Sequence, residues 1–213
     1  LISTPIDDRE LAFVLPRKQP EGRGLRPFSR LVIVDVPTAE VKVDVDLGSD
    51  RLMHLNYLRA FRDRDRYYIN FQRSIANRGV RHYSYFATDT YLPSEHMQGD
   101  LYAIDARSGA LLWNRAIPQR SFLRLPGVRL PFLVALARTR DRWNGGQQSL
   151  VLEVLDARTG ETLGGKDDIF QDRIGQFAYD PGKRRLELSG WHTTVRVDFG
   201  PDVIELPAGD EPF

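Results

Sequence analysis

The chain has 213 residues, 41% of them hydrophobic and 28% charged, with a formal net charge of +1. That profile fits a globular protein with one sizeable core; it lacks the basic excess of a nucleic-acid binder and the roughly 18-residue apolar run of a transmembrane helix. The absence of cysteine excludes a disulfide framework and thiolate metal sites, and is silent on compartment.

Residues 1–30 hold one predicted strand, at 11–15, followed by a loop or extended connector at 16–24 rich in Pro and Gly. Residues 31–36 and 41–47 make the first clear hairpin. A second runs from 55–61 through a charged turn at 62–66 to 67–72. Residues 74–99 break the rhythm and read as an insertion, with one strand-like piece at 83–89. The hairpin at 100–116 follows. Further strands are predicted at 121–125 and at 131–138, the latter apolar enough to be buried on both faces. After a loop at 141–146 come a hairpin at 149–163 and a last cluster at 176–179, 185–189 and 193–199. Residues 201–213, rich in Pro, Gly and acids, read as an exposed tail. There is no long amphipathic helix pattern. Residues 1–20 lack a signal-peptide pattern. Leu1 is not an initiator Met, so the chain reads as a processed product or an excised portion of a longer protein.

One frame recurs: apolar strand, Asp, two residues, Ser or Thr, Gly, second strand. Asp105, Ser108 and Gly109 form one copy, and Asp156, Thr159 and Gly160 form another. A third keeps Asp35 and Thr38 but has Ala39 where Gly belongs. The chemistry requires these types. A short carboxylate at the strand end accepts hydrogen bonds from N–H groups two or three residues on, a hydroxyl does the same, and Gly takes the positive φ that closes the turn. Ala39 must therefore bear strain or belong to a different turn. Trp113, four residues past Gly109, offers a large flat ring suited to packing between neighbouring repeats.

The frame Ala103-x-Asp105-x-x-Ser108-Gly109-x-x-x-Trp113 resembles the tryptophan-docking repeat of quinoprotein (PQQ) alcohol dehydrogenases and their PQQ-like propeller relatives. Residues 99–199 are also similar to the C-terminal part of large PQQ-like propeller proteins of planctomycete bacteria. The copy at Asp156 has Gly164 in place of the tryptophan, and the copy at Asp35 lacks both Gly and Trp. The resemblance implies an all-β propeller of four-stranded antiparallel blades, usually eight to a ring. Asp35 to Asp105 is 70 residues and Asp105 to Asp156 is 51. With blades of roughly 40–50 residues, the chain holds about four, one enlarged by the 74–99 insertion. On this division residues 1–30 complete a preceding blade and residues 31–200 carry the blades. Another chain, or the remainder of the same protein, completes the ring.

In that family PQQ sits in the central funnel with Ca²⁺, an Asp base, Arg near the quinone oxygens and often a disulfide of adjacent cysteines. This chain has no cysteine, and no motif in it matches the metal ligands or the catalytic Asp. The expectation is a chain without a cofactor, with PQQ and Ca²⁺ as the alternative. His54, His82, His96 and His192 show no metal-ligand spacing. The aspartates 63, 65, 167 and 168 fit solvated turns better than a calcium loop.

Arg with interleaved aromatics suits protein interfaces, and residues 74–99 supply that mixture. The candidate partner-binding residues are Arg81, Tyr83, Tyr85, Tyr91 and His96, with Trp143 in the 141–146 loop. The expected function is a non-catalytic scaffold or protein-binding module, with no nucleic-acid partner and no membrane insertion. The alternatives are part of a PQQ-dependent dehydrogenase and a structural component of a cell-envelope assembly. The resemblance alone implies a bacterial periplasmic or extracellular location.

Overall fold

Alternating apolar and polar side chains put one face of each strand in a core, and the chain uses that pattern almost throughout. The computed structural model describes residues 2–16, 28–47, 55–73, 90–128, 130–140, 148–170 and 173–200. Its strands are β1 (Ile2–Pro5), β2 (Glu10–Pro16), β3 (Phe28–Asp35), β4 (Glu40–Asp46), β5 (Leu55–Asp63), β6 (Arg66–Arg73), β7 (Ser94–Asp105), β8 (Leu111–Leu123), β9 (Phe132–Arg140), β10 (Gln148–Asp156), β11 (Thr162–Phe170), β12 (Gln176–Asp180), β13 (Arg185–Ser189) and β14 (Thr194–Asp198). The pairing between these strands is antiparallel and runs in chain order. The protein is all-β. Two compact units divide it, Leu1–Arg81 with Met97–Pro118, and His82–His96 with Gln119–Phe213.

In the first unit β1 to β4 form one four-stranded meander. β2 pairs with β3 from Glu10↔Asp35 to Leu15↔Arg30. The strands of residues 1–30 thus share a sheet with the hairpin that follows them. β5, β6, β7 and β8 form the next meander. The two sheets bury their facing side chains against each other. Ala12, Val14, Leu31, Ile33 and Val43 from the first meet Leu58, Tyr67, Ile69, Phe71, Tyr102 and Ile104 from the second. Each fully buried side chain of this size contributes about 1.5–3 kcal/mol before the cost of ordering the chain is subtracted. From Arg66 to Phe71 β6 is buried on both faces, and the Asn70 amide is satisfied at both ends. Asn70 Nδ2 donates to the Asp100 carbonyl at 3.1 Å, and Asn70 Oδ1 accepts from Gln98 N at 3.1 Å. β7 begins at Ser94, so residues 94–99, expected in the insertion, are strand. Met97 there is a core residue, 1% exposed.

In the second unit the end of β8 pairs with β9 at Ser121↔Leu136 and Phe122↔Ala135. β9 and β10 match over nine consecutive residues, and β11 completes the meander with two register shifts. Phe132 to Ala137 are all buried, as expected of a strand covered on both faces. β12, β13 and β14 form a three-stranded sheet. The shared core contains Phe132, Val134, Leu136, Leu150, Leu152, Val154, Ile169, Leu186, Leu188 and Val195.

Candidate interaction surface

The repeat turns set the spacing of everything else. Asp105 Oδ1 accepts from Arg107 N at 3.0 Å, Ser108 N at 2.7 Å and Ser108 Oγ at 2.8 Å. The Ser108 N–H, then its hydroxyl, hold the Asp105 carboxyl below its ordinary value. Asp35 accepts from the Thr38 N–H and hydroxyl at 3.1 and 2.8 Å. Burial works against ionisation of Asp156, but the Arg158 guanidinium and N–H outweigh it and its carboxyl also lies low. Gly109 and Gly160 N–H groups close the turns onto the Asp105 and Asp156 carbonyls at 2.9 and 2.8 Å. Their φ values are +70° and +74°. Ala39 occupies the same position with φ +55°, so it bears the strain itself.

A fourth copy escaped the sequence reading. Asp180 accepts from Lys183 N at 3.0 Å, and Arg184, four residues past the Asp, has φ +51°. Lys183 stands where Ser or Thr was expected and Arg184 where Gly was, which hid the frame. The signal left was Asp-Pro-Gly, a turn sequence in its own right.

Trp113 is 8% exposed, and its ring centroid lies 6.0 Å from that of Tyr68, which stacks on Phe61 at 5.0 Å. Those contacts lie within β5, β6 and β8. A second buried feature was also missed. Glu10, 5% exposed, accepts from Tyr67 Oη at 2.7 Å and Arg62 Nη1 at 3.3 Å, and its Oε2 has no hydrogen-bond partner. Burial, then the Glu10 carboxylate, pushes the Tyr67 phenol well above its ordinary value. Among the described residues no group of three or more His, Asp or Glu side chains is placed to hold a metal ion.

Of the predicted partner-binding residues, Arg81, Tyr83, Tyr85 and Trp143 lie outside the described residues. His96 is in β7 and not in a loop. Its Nε2 lies 3.1 Å from Gln119 Nε2 and its Nδ1 3.4 Å from Ser121 Oγ. With the amide donating, Nε2 accepts, and Nδ1 faces the Ser121 hydroxyl. Both contacts fix the ring inside the unit.

Tyr91 is 59% exposed, and its position is held closely. Its N–H donates to the Ile174 carbonyl at 2.7 Å, and the Arg173 guanidinium lies over its ring at 5.4 Å. Gly175 lies under the ring, where a Cβ would sit 3.3 Å from Tyr91 Cδ2. Gly175 N donates in turn to the Ser189 carbonyl at 2.9 Å. Two residues beyond Ser189, in a loop closed by Gly190 N to Thr193 O at 2.8 Å, Trp191 is 80% exposed. Tyr91, Arg173 and Trp191 therefore share one end of the β12–β14 sheet. The sequence offered no sign of Trp191, because a lone Trp between strands looks the same whether buried or bare.

The residues so far define an all-β protein of face-packed antiparallel meanders with a pinned aromatic rim. No family model matches the chain, and no curated protein matches it. The crystal structure of BamB from Moraxella catarrhalis is similar to it at 15% sequence identity and a TM-score of 0.35, over 80% of this chain and 40% of that one. The chain thus spans well under two-thirds of that protein's length. At that identity and score, neither activity nor partner passes from that protein to this chain.

Proposed function

We propose that the chain is a run of β-propeller blades in a larger protein, acting as a non-catalytic scaffold that binds a protein partner through the rim of its second unit. Antiparallel strands paired in chain order, sheets packed face to face within each unit, and one turn that recurs in their hairpins support the propeller reading. The observation that carries the binding role is the exposed pair Tyr91 and Trp191, with Arg173 laid on the Tyr91 ring. Tyr, Trp and Arg are the residue types that dominate interface energetics, and an anchor held rigid before binding loses little entropy on docking. A periplasmic or extracellular site of action belongs to the same reading, and cell fractionation tests it.

The test is native mass spectrometry of the protein isolated from its source, with every co-purifying component mapped. The expected result is a stable complex with a second polypeptide. Trp191→Ala or Tyr91→Ala should weaken it by at least roughly thirtyfold, the loss typical of a truncated anchor residue. A bound mass matching PQQ with a divalent cation, or a complex indifferent to both substitutions, would overturn the proposal.

A further inference from the structure

The tip of the β13–β14 hairpin breaks its own local rule. Residues 190–193 are closed by Gly190 N donating to the Thr193 carbonyl at 2.8 Å. Short hairpin loops draw on Gly, Asn, Asp and Ser, whose backbones or polar side chains suit a tight turn in water. An indole answers neither need, and at Trp191 it stands 80% exposed. An apolar ring left in water at a turn that does not require it marks a functional position.

The hairpin behind that tip is rigid. Leu186, Leu188 and Val195 are buried in the core of the second unit. Arg196 pairs with Glu187 across the strands at 2.8 Å, and the Ser189 and Thr194 hydroxyls lie 3.2 Å apart. An anchor held this way loses little freedom on docking. Gly175, under the Tyr91 ring, is bonded to Ser189, so strand spacing and rise put Trp191 roughly 6–8 Å from it. The two rings are presented differently. Tyr91 has Gly175 under it and the Arg173 guanidinium over it at 5.4 Å, so it offers its edge and hydroxyl. Trp191 offers both faces.

Full burial of a Trp side chain removes about 150–250 Å² from water, and a ligand lying on one face removes about half of that. At ordinary transfer values the difference is roughly fiftyfold in affinity. Residues that dominate binding sit in fully desolvated pockets, and opposite a protruding ring the concavity belongs to the other molecule. A linear peptide has no slot to offer; it docks where its receptor supplies a groove or a strand edge. We infer that the partner is a folded protein whose surface carries an apolar slot, and that Trp191 enters it as a knob while Tyr91 meets its margin. Once buried, the indole N–H needs an acceptor, so the slot holds a carbonyl, carboxylate or hydroxyl oxygen. This rests on the scaffold reading proposed above and names the kind of partner it takes.

The test uses the complete product of the encoding gene labelled with fluorotryptophan, together with the partner polypeptide that peptide mapping identifies. The fluorine signal that disappears in Trp191→Phe belongs to that ring, and its shift between light and heavy water reports solvent there. The expected result is a loss of roughly 90% of that shift in the complex, as full desolvation requires. Retention of about half, with Trp191→Ala still weakening the complex, overturns the slot and leaves the scaffold reading standing. An unfolded peptide of the partner that binds as tightly as the whole polypeptide also overturns it, making a linear segment the ligand. A complex indifferent to Trp191→Ala and Tyr91→Ala removes the scaffold reading, and this inference with it.

Discussion

At Ala39 and Arg184 a side chain occupies a backbone conformation that glycine takes without penalty. The left-handed region costs a residue with a Cβ about 1–2 kcal/mol, and glycine costs about 0.5–1 kcal/mol in unfolded-state entropy. The difference favours glycine. Ala39→Gly and Arg184→Gly should each stabilise the chain by about 0.5–1 kcal/mol, read as a higher urea midpoint at unchanged slope. Gly109→Ala should do the reverse, costing about 0.5–1 kcal/mol. Its Cβ would meet only ordinary contacts near Lys42 and Val43 at 3.7 Å, so backbone strain and not crowding sets that cost. A midpoint that falls for Ala39→Gly would mean the Asp35 turn is held by something other than this frame.

Among elements, β11 shows how a sheet can demand one residue. Gly165 faces β10 beside the register shift between Leu150 and Leu152, and a Cβ there would lie 2.7 Å from the Leu152 carbonyl oxygen. Backbone cannot yield as a side-chain tip can. Gly165→Ala should destabilise the chain by about 1–3 kcal/mol, whereas the neighbouring Gly164→Ala, with open space around its Cβ, should be near neutral; paired urea melts decide it. This level was also the most legible in the sequence. Turn chemistry at Asp105 and Asp156 and alternation in the flanking strands placed β7–β8 and β10–β11, and the apolar run at 131–138 placed β9. The misses have physical causes. β1 is four residues with no apolar alternation of its own, and it exists because β2 offers an edge to pair with. The first residues of β7, Ser94-Glu95-His96, look like a loop by composition. They are strand because His96 and Glu95 find Gln119, Ser121 and Arg124 as partners. Partners of that kind are invisible until the chain is folded.

For the whole molecule, the proposed partner-binding residues were legible as a type and only partly as a place. The mixture of Arg and aromatics pointed to residues 74–99, and Tyr91 falls on the rim that the folded chain also gives to Trp191. Met97, inside the same range, is core. That split makes a sharp prediction. Replacing residues 75–89 by a Gly/Ser linker of equal length keeps β6 and β7 whole and leaves the chain's connectivity unchanged. Its urea midpoint should match the parent while partner capture is lost, because Arg81, Tyr83 and Tyr85 go with it. Extending the replacement to residue 97 removes Ser94 to Met97 from β7 and a fully buried side chain from the core. Deleting a buried Met costs about 2–5 kcal/mol, so the longer replacement should lower the midpoint sharply. If the shorter replacement retains full capture, the contacts belong to Tyr91 and Trp191 alone, and recognition is confined to the rim of the β12–β14 sheet.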